Sequence, residues 1–209
     1  MSAMGTYFDE TARRWDTPRR VERARYLVPL LEEVLDGGTY SAGLELGCGT
    51  GLISLPLAHR FRELYCVERS AEMLEVLGEK CAAAGVGNIF PRGLRFLTDT
   101  ANRGRFDVAF GSMVFHHMDD LCGELRSVRS LLKKTGRLLA VDLDTADPRL
   151  HAGEPGFRGV DGFDRGDFAS VLEICGFRDA AFSTVYRGEK ELAGERVPYS
   201  LFLCTALCR

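Results

Sequence analysis

The chain has no run of about 18 consecutive apolar residues, so nothing in it reads as a helix that spans a lipid bilayer. An excess of positive charge is also missing. Against 27 Lys and Arg stand 30 Asp and Glu, a net charge of −3 with a pI near 5.9. A dedicated nucleic-acid binder needs a strongly basic face, and this balance argues against one. The start, Met1-Ser2-Ala3-Met4-Gly5-Thr6, lacks the basic flank and apolar core of a secretory signal, which gives the expectation of a cytoplasmic protein without membrane insertion. Cysteines at Cys-x-x-Cys spacing are absent: the seven, an odd number, are Cys48, Cys66, Cys81, Cys122, Cys175, Cys204 and Cys208. Most lie in apolar stretches such as Leu64-Tyr65-Cys66-Val67, where a reduced thiol behaves as a small core hydrophobe, and no metal is expected. There is no internal repeat and no low-complexity tract.

What is present fits a globular chain. The 209 residues, 45% apolar and 27% charged, suffice for one domain with a real core and do not fit disorder, a fibre or a disulfide-stapled miniprotein. Apolar periodicity reads as helix through the first 35 residues. Phe8, Ala12 and Trp15 share a face, and Val21, Ala24, Leu27, Leu31 and Val34 continue after Pro18 until Gly37-Gly38. Ala42 to Leu46 reads as a strand, Gly47 to Gly51 as a turn, Leu52 to Ala58 as a helix and Leu64 to Val67 as the next strand, which makes one parallel crossover unit. Ser70 is placed to cap a helix over 71–84 that Gly85 stops.

Further strands are read at Leu94 to Leu97, Phe106 to Phe110 and Arg137 to Val141, with a helix from Leu121 to Lys133. A Gly- and Pro-rich stretch, 146–162, precedes a clear helix start. Asp164 is the N-cap, Asp167 stands at the third helical position, and Phe163 and Phe168 form a hydrophobic staple; Gly176 ends the helix. Two closing strands, Ala180 to Tyr186 and Tyr199 to Ala206, flank the charged segment Arg187 to Arg196 as an antiparallel hairpin. This alternation predicts an α/β, Rossmann-like, doubly wound and mostly parallel seven-stranded sheet with an antiparallel C-terminal hairpin strand.

Gly47, Gly49 and Gly51 follow a strand and open a helix, where missing Cβ atoms let a ligand press against backbone N–H groups. Glu68 falls at the end of the next strand, where a carboxylate can accept both hydroxyls of a ribose. Together they point to an adenosine-containing ligand. A nicotinamide-binding fingerprint wants its third glycine at position 52, where this chain has Leu52, so a nicotinamide-dependent oxidoreductase is disfavoured.

The run Leu44-Glu45-Leu46-Gly47-Cys48-Gly49-Thr50-Gly51 resembles the first motif of class I S-adenosylmethionine-dependent methyltransferases. Phe115-His116-His117-Met118-Asp119 resembles the motif after strand four in the group that includes the ubiquinone/menaquinone-biosynthesis methyltransferases. Phe8-Asp9-Glu10, Ala12, Trp15-Asp16, Val141 to Asp144, Gly162 to Arg165 and Tyr199 to Leu203 are similar to small bacterial members, so the likeness covers nearly the whole chain. It implies S-adenosylmethionine as cofactor, with S-adenosylhomocysteine as product, and a small-molecule methyl acceptor. By the same resemblance Gly47, Cys48, Gly49 and Gly51 face the methionine half, Glu45 supports their loop, and Glu68 binds the ribose. The adenine-contacting acid is sought after strand three; Leu97 stands at the aligned position and Asp99 is the nearest candidate. Residues 1–209 are then one methyltransferase domain, with 1–36 as a helical cap or lid, 37–209 as the core and 146–162 as a loop on the substrate side.

His116 and His117, at the carboxyl end of strand four, are the candidate general bases, and the alternative is that they pack beside the cofactor or cap the next helix. Side chains alternate along a strand, so at most one is expected to face the pocket. Phe8 and Trp15 read first as the stripe of a packed helix. Tyr7, off that stripe, reads as the lid contact to the cofactor. The arginines at 13, 14, 19, 20, 23 and 25 read as a solvated face or as a steering patch for an anionic substrate. Asp142 and Asp144 fall where relatives build the acceptor pocket. Two alternatives stay open: a non-catalytic module that binds S-adenosylmethionine, and a protein or RNA methyltransferase.

Overall fold

The computed structural model describes residues 3–36 and 38–209. Its strands are β1 (Tyr40–Leu46), β2 (Phe61–Val67), β3 (Ile89–Arg92), β4 (Phe106–Ser112), β5 (Leu132–Leu143), β6 (Phe177–Leu192) and β7 (Glu195–Cys208). They form one sheet in the order β3-β2-β1-β4-β5-β7-β6. Strands β1 to β5 pair in parallel, and β7 runs antiparallel to both β5 and β6. The chain leaves β1 toward β2 on one side and later returns to β4 on the other. That reversal opens a crevice at the carboxyl ends of β1 and β4, where ligands of open α/β sheets bind.

Successive strand side chains serve opposite faces, because the side-chain period of a strand is two. Val108 and Phe110 of β4 pack in a core with Leu27, Leu31, Leu57 and Leu77, whereas Ala109 joins Leu44, Leu125, Val128 and Phe168 across the sheet. Among the described residues six α-helices cover these faces: α1 (Ala3–Thr11), α2 (Pro18–Val34), α3 (Ser54–Leu57), α4 (Ala71–Ala84), α5 (Leu121–Leu131) and α6 (Arg165–Ile174). The caps read from sequence are in place. The Ser70 hydroxyl accepts from Met73 N–H, Gly85 takes φ +66, Asp164 accepts from Gly166 and Asp167 N–H, and the Phe163 and Phe168 rings lie 4.8 Å apart.

Four elements differ from the sequence reading. The third strand is Ile89–Arg92, whereas Leu94–Thr98 coils into a 3-10 turn that buries Leu97. Pro91 is tolerated because β3 is an edge strand with one neighbour, and a short apolar run such as 94–97 has no period long enough to tell a strand from a turn. The helix expected over 52–58 shrinks to the single turn of α3 plus a 3-10 turn, Ala58–Arg60. The opening helix is broken after α1 and a 3-10 turn, Ala12–Arg14, by the cap of α2, where Thr17 Oγ1 accepts from Arg20 N–H and Pro18 starts the helix. The expected stop at Gly37-Gly38 falls partly outside the described residues; α2 itself ends at Val34, and Asp36 takes φ +53. Finally, Arg187–Arg196 is the tip of the β6–β7 hairpin rather than a loop between short strands, with Ala193 and Gly194 both at positive φ in a two-residue turn. No helix of the described residues is long and apolar enough to cross a membrane.

Candidate active site

Gly47, Gly49 and Gly51 all adopt positive φ (60, 52 and 85°), which reverses the chain between β1 and α3. The three glycines answer to different neighbours. A Cβ on Gly47 meets Val114 at 2.3 Å and one on Gly51 meets Leu77 at 2.4 Å, so both are required by packing. At Gly49 the nearest atom is Trp15 Nε1, 3.6 Å away, so its Cα face is open toward the crevice. Glu68, just past β2, accepts from Gly49 N–H (3.1 Å) with Oε2, and from Arg69 N–H (2.7 Å) and Ser70 N–H (3.0 Å) with Oε1. The acid and the glycine turn are thus one hydrogen-bonded unit.

Glu45 is buried at the base of this turn, where its carboxyl accepts from the Ser54 hydroxyl and from Cys66 Sγ at 3.7 Å. Burial raises its pKa to about 8, with the negative Glu68 adding to the effect against these hydrogen bonds. Glu45 is therefore mostly protonated at neutral pH. Burial likewise pushes the Cys48 thiol well above its ordinary value.

The crevice, counting its open mouth, encloses about 1190 Å³. Its walls include Glu45, Gly47, Cys48, Gly49 and Glu68 from the β1–β2 unit, and Leu94 and Leu97 after β3. Ser112, Met113, Val114, His117 and Met118 follow β4, and Phe8, Trp15, Arg20 and Arg23 come from the N-terminal segment. Met113 takes φ +59, a strained conformation for a long side chain, at the point where β4 meets the crevice.

Several side chains named from sequence stand elsewhere. Asp99 is exposed and caps a 3-10 turn at 100–102, accepting from Ala101 N–H; Leu94 and Leu97, not Asp99, line the crevice. Tyr7 is not among the lining residues, and its ring packs edge-on against Phe8 at 5.5 Å. The stripe reading of Phe8 and Trp15 is reversed, for both reach the crevice wall, with only Ala12 of that face in the core. Asp16 explains the placement, because the 3-10 turn and Trp15–Thr17 break bring it over the glycine turn. It accepts from the Thr50 hydroxyl at 2.5 Å and from Lys80. Asp9 accepts from Ser70 Oγ (2.5 Å), and Arg13 meets Glu79 (3.1 Å) and Glu75 (3.4 Å) on α4.

His116 and His117 lie in a 3-10 turn, Phe115–His117, and only His117 lines the crevice. His116 is 1% exposed, and its Nδ1 lies 2.5 Å from Asp142 Oδ1. Asp142 also accepts from the N–H groups of Phe115 (2.8 Å), His116 (3.3 Å) and Leu143 (2.7 Å). Burial works to raise its pKa, but His116 and these N–H groups together hold it below the usual carboxylate value. Asp142 is thus an internal brace of the turn, and Asp144 is taken up by Arg165 (2.7 Å) and Ser200 (2.7 Å), so neither acid lines the crevice. Burial, with His116, His151 and Arg69 nearby, drives His117 down to about 3, so its imidazole is neutral. Its Nδ1 has no hydrogen-bond partner among the described residues, and its Nε2 is 3.8 Å from Glu154.

Glu154 belongs to the 146–162 stretch, which closes the far side of this turn. Val160 N–H donates to His116 C=O (3.0 Å), and Gly159 packs so closely on that carbonyl that a Cβ could not fit. Phe157 stacks on His151 at 4.0 Å and meets His117 edge-on at 5.4 Å. Arg20 and Arg23 of the arginine cluster reach the crevice; the sequence reading missed Met113, Glu124 and Glu154, which carry no local signal.

A doubly wound sheet with a glycine turn, an acid after the second strand and a crevice at the strand reversal defines a nucleoside-binding α/β protein of the Rossmann-like class. Residues 44–138 match the methyltransferase domain family. An uncharacterized methyltransferase of Schizosaccharomyces pombe is 31% identical over 155 residues, 67% of this chain and 52% of that protein, so the chain spans about half of that relative's length. The crystal structure of YcgJ from Bacillus subtilis superposes with a TM-score of 0.71 at 15% identity, covering 87% of this chain and 97% of that one. A complex of DhpI with S-adenosylhomocysteine superposes with a TM-score of 0.73 at 21% identity, covering 99% and 95%. Residues 44–138 thus carry a methyltransferase domain, and the fold of the whole chain is shared with solved S-adenosylmethionine-dependent methyltransferases.

Proposed function

We propose that the protein transfers the methyl group of S-adenosylmethionine to a small-molecule acceptor by in-line displacement. The observation that carries this reading is the meeting, on one crevice, of the open Gly49 face and the Glu68 carboxylate that holds the Gly49 amide. Gly47, Cys48 and Gly49 would hold the methionine half of the cofactor, Glu68 the ribose, and Leu94 and Leu97 the adenine face, with Gly51 closing the turn against Leu77 and Glu45 steadying it through Ser54. When bound, the cofactor supplies a methyl group already activated by its sulfonium charge. The chain's own work is to hold the acceptor in line and to exclude water, effects of position that reach ~7–11 kcal/mol in favourable cases.

The N-terminal segment to Asp16 acts as the lid. Asp9, Arg13 and Asp16 latch it to α4 and to the glycine turn, while Phe8 and Trp15 form its inner wall. His117 is neutral at working pH, so it accepts a hydrogen bond from the acceptor's nucleophilic atom instead of storing its proton. His116 and Asp142 position His117 by fixing the turn that carries it.

The test is incubation with methyl-labelled S-adenosylmethionine and a cell extract, followed by separation of small molecules, protein and RNA. S-adenosylhomocysteine should form together with a labelled small molecule. Label in protein or RNA would refute the acceptor class. Cofactor binding without any S-adenosylhomocysteine would show a binding module in place of an enzyme.

A further inference from the structure

The crevice holds an excess of cations. Arg20 and Arg23, one turn apart on α2, and Arg69, just past β2, all line it. Among the described residues none of the three lies within 4.0 Å of a carboxylate. Arg20 is fixed in place: its guanidinium lies 3.6 Å over the Trp15 ring, and it donates to Trp15 C=O at 3.2 Å. Arg23 makes no hydrogen bond or ion pair within the described chain.

The three carboxyl groups of the crevice do not balance these charges. Glu45 is mostly protonated and burial favours the neutral form of Glu124, which leaves Glu68, held by three backbone N–H groups, as one carboxylate against three guanidinium groups. Burial lowers the pKa of Arg20, partly offset by Tyr7, and Arg23 and Arg19 lower it further. Lys190, on the hairpin arm, is lowered by burial and by Arg19 and Arg20, with Glu154 as the one carboxylate acting the other way. Like charges gathered this way destabilise the fold unless something binds there. S-adenosylmethionine does not relieve them, since its sulfonium and ammonium outweigh its single carboxylate and leave it at net +1.

Building on the methyltransferase reading, we propose that the acceptor carries an anionic group, a carboxylate or a phosphate, and that Arg20 and Arg23 bind it. The guanidinium fork suits either group, because both present two oxygens to two parallel N–H donors. Arg20, held by Trp15, gives the fixed half of the site, and Arg23 closes on the anion from one helical turn away. Glu154, behind His117 at 3.8 Å from its Nε2, repels an acceptor whose anion is placed beside that ring, which sets the orientation.

The experiment is calorimetric titration of inorganic phosphate, and separately of malonate, into protein saturated with S-adenosylhomocysteine. At least one of the two should bind, and Arg23→Gln should weaken it about tenfold. Affinity for S-adenosylhomocysteine should stay within about twofold, and Arg95→Gln, an exposed charge outside the crevice, should change neither. Preference for phosphate or for malonate tells which anion the acceptor carries. No binding of either anion, equal binding by Arg23→Gln, or binding of a single-stranded RNA oligonucleotide alone would overturn the proposal. If S-adenosylhomocysteine itself fails to bind, the methyltransferase reading falls, and the anion titration of the free protein still decides this one.

Discussion

Glu45→Gln isolates the buried carboxylic acid beneath the glycine turn. In the unfolded chain this group titrates near its ordinary 4.5, and in the fold near 8. The folded pKa is the higher one, so the stability linked to the Glu45 proton is fully present below pH ~4.5 and is lost as pH rises through about 8. Integrated over the titration, the loss is about 4 kcal/mol between pH 4 and 8, of which about 1.5 kcal/mol falls between pH 6.5 and 8. That upper window is the clean one. His117, lowered to about 3, acts in the opposite sense only between ~3 and ~6.5, and Asp142 acts only below the ordinary carboxylate range. For a chain of this size the loss corresponds to about 3–6 °C in Tm. The assay is thermal or urea unfolding of both proteins at pH 6.5, 7, 7.5 and 8 at constant ionic strength. The wild type should lose stability across this range, and Glu45→Gln, a neutral side chain of nearly the same shape, should lose clearly less. Equal slopes for the two proteins would refute the reasoning, whatever constant offset the amide introduces.

Gly49→Ala and Gly51→Ala should separate binding from folding. Alanine at 49 has room and costs about 1–2 kcal/mol for its left-handed backbone, yet it fills the face a ligand needs, so calorimetry should show S-adenosylhomocysteine binding lost from a folded protein. At 51 the same methyl collides with Leu77, and unfolding should show a loss of at least ~2–3 kcal/mol. Asp16→Asn removes the charge that ties the lid to Lys80 and Thr50, and cofactor affinity should fall roughly three- to tenfold with the melting temperature almost unchanged. His116→Ala strands Asp142 in the core and should cost ~3–5 kcal/mol in unfolding assays. His117→Ala should leave stability near wild type and lower kcat, and a variant with unchanged kcat would remove His117 from the reaction.

The cofactor half of the crevice was legible because its residues are local. Glu45, the three glycines and Glu68 lie within 24 positions on one strand-turn-helix-strand unit, so spacing alone brings them together. The caps at Ser70 and Asp164 were legible for the same reason, since a cap bonds N–H groups two or three residues ahead. Legibility failed where a residue's direction depends on distant partners. Trp15 faces the crevice because Asp9, Arg13 and Asp16 find Ser70, Glu79, Lys80 and Thr50 across the sequence, and periodicity within 1–16 carries no trace of those partners. The strand pairing within Arg187–Arg196 is not legible, because this charged segment extends past β5 and has no apolar face to reveal it.

The side proposed to take the acceptor is assembled quite differently, from lining segments at 8–23 and 113–118 braced from behind by 142 and 151–160. Asp142 joins the second and third of these. By holding the N–H groups of Phe115 and His116 along with the His116 ring, it sets the turn from β5 and leaves His117 as the outward side chain. Gly159 and Val160 then brace the same turn through the His116 carbonyl, from the outside. Residues 146–162, which do not themselves line the crevice, can therefore move the turn that carries His117 without touching the glycine turn, which has its own support in Ser54 and Glu68. Substitutions at Phe157 or Glu154 should accordingly move KM for the acceptor and spare the affinity for S-adenosylhomocysteine. A parallel loss of both would mean that the two halves of the crevice are mechanically one.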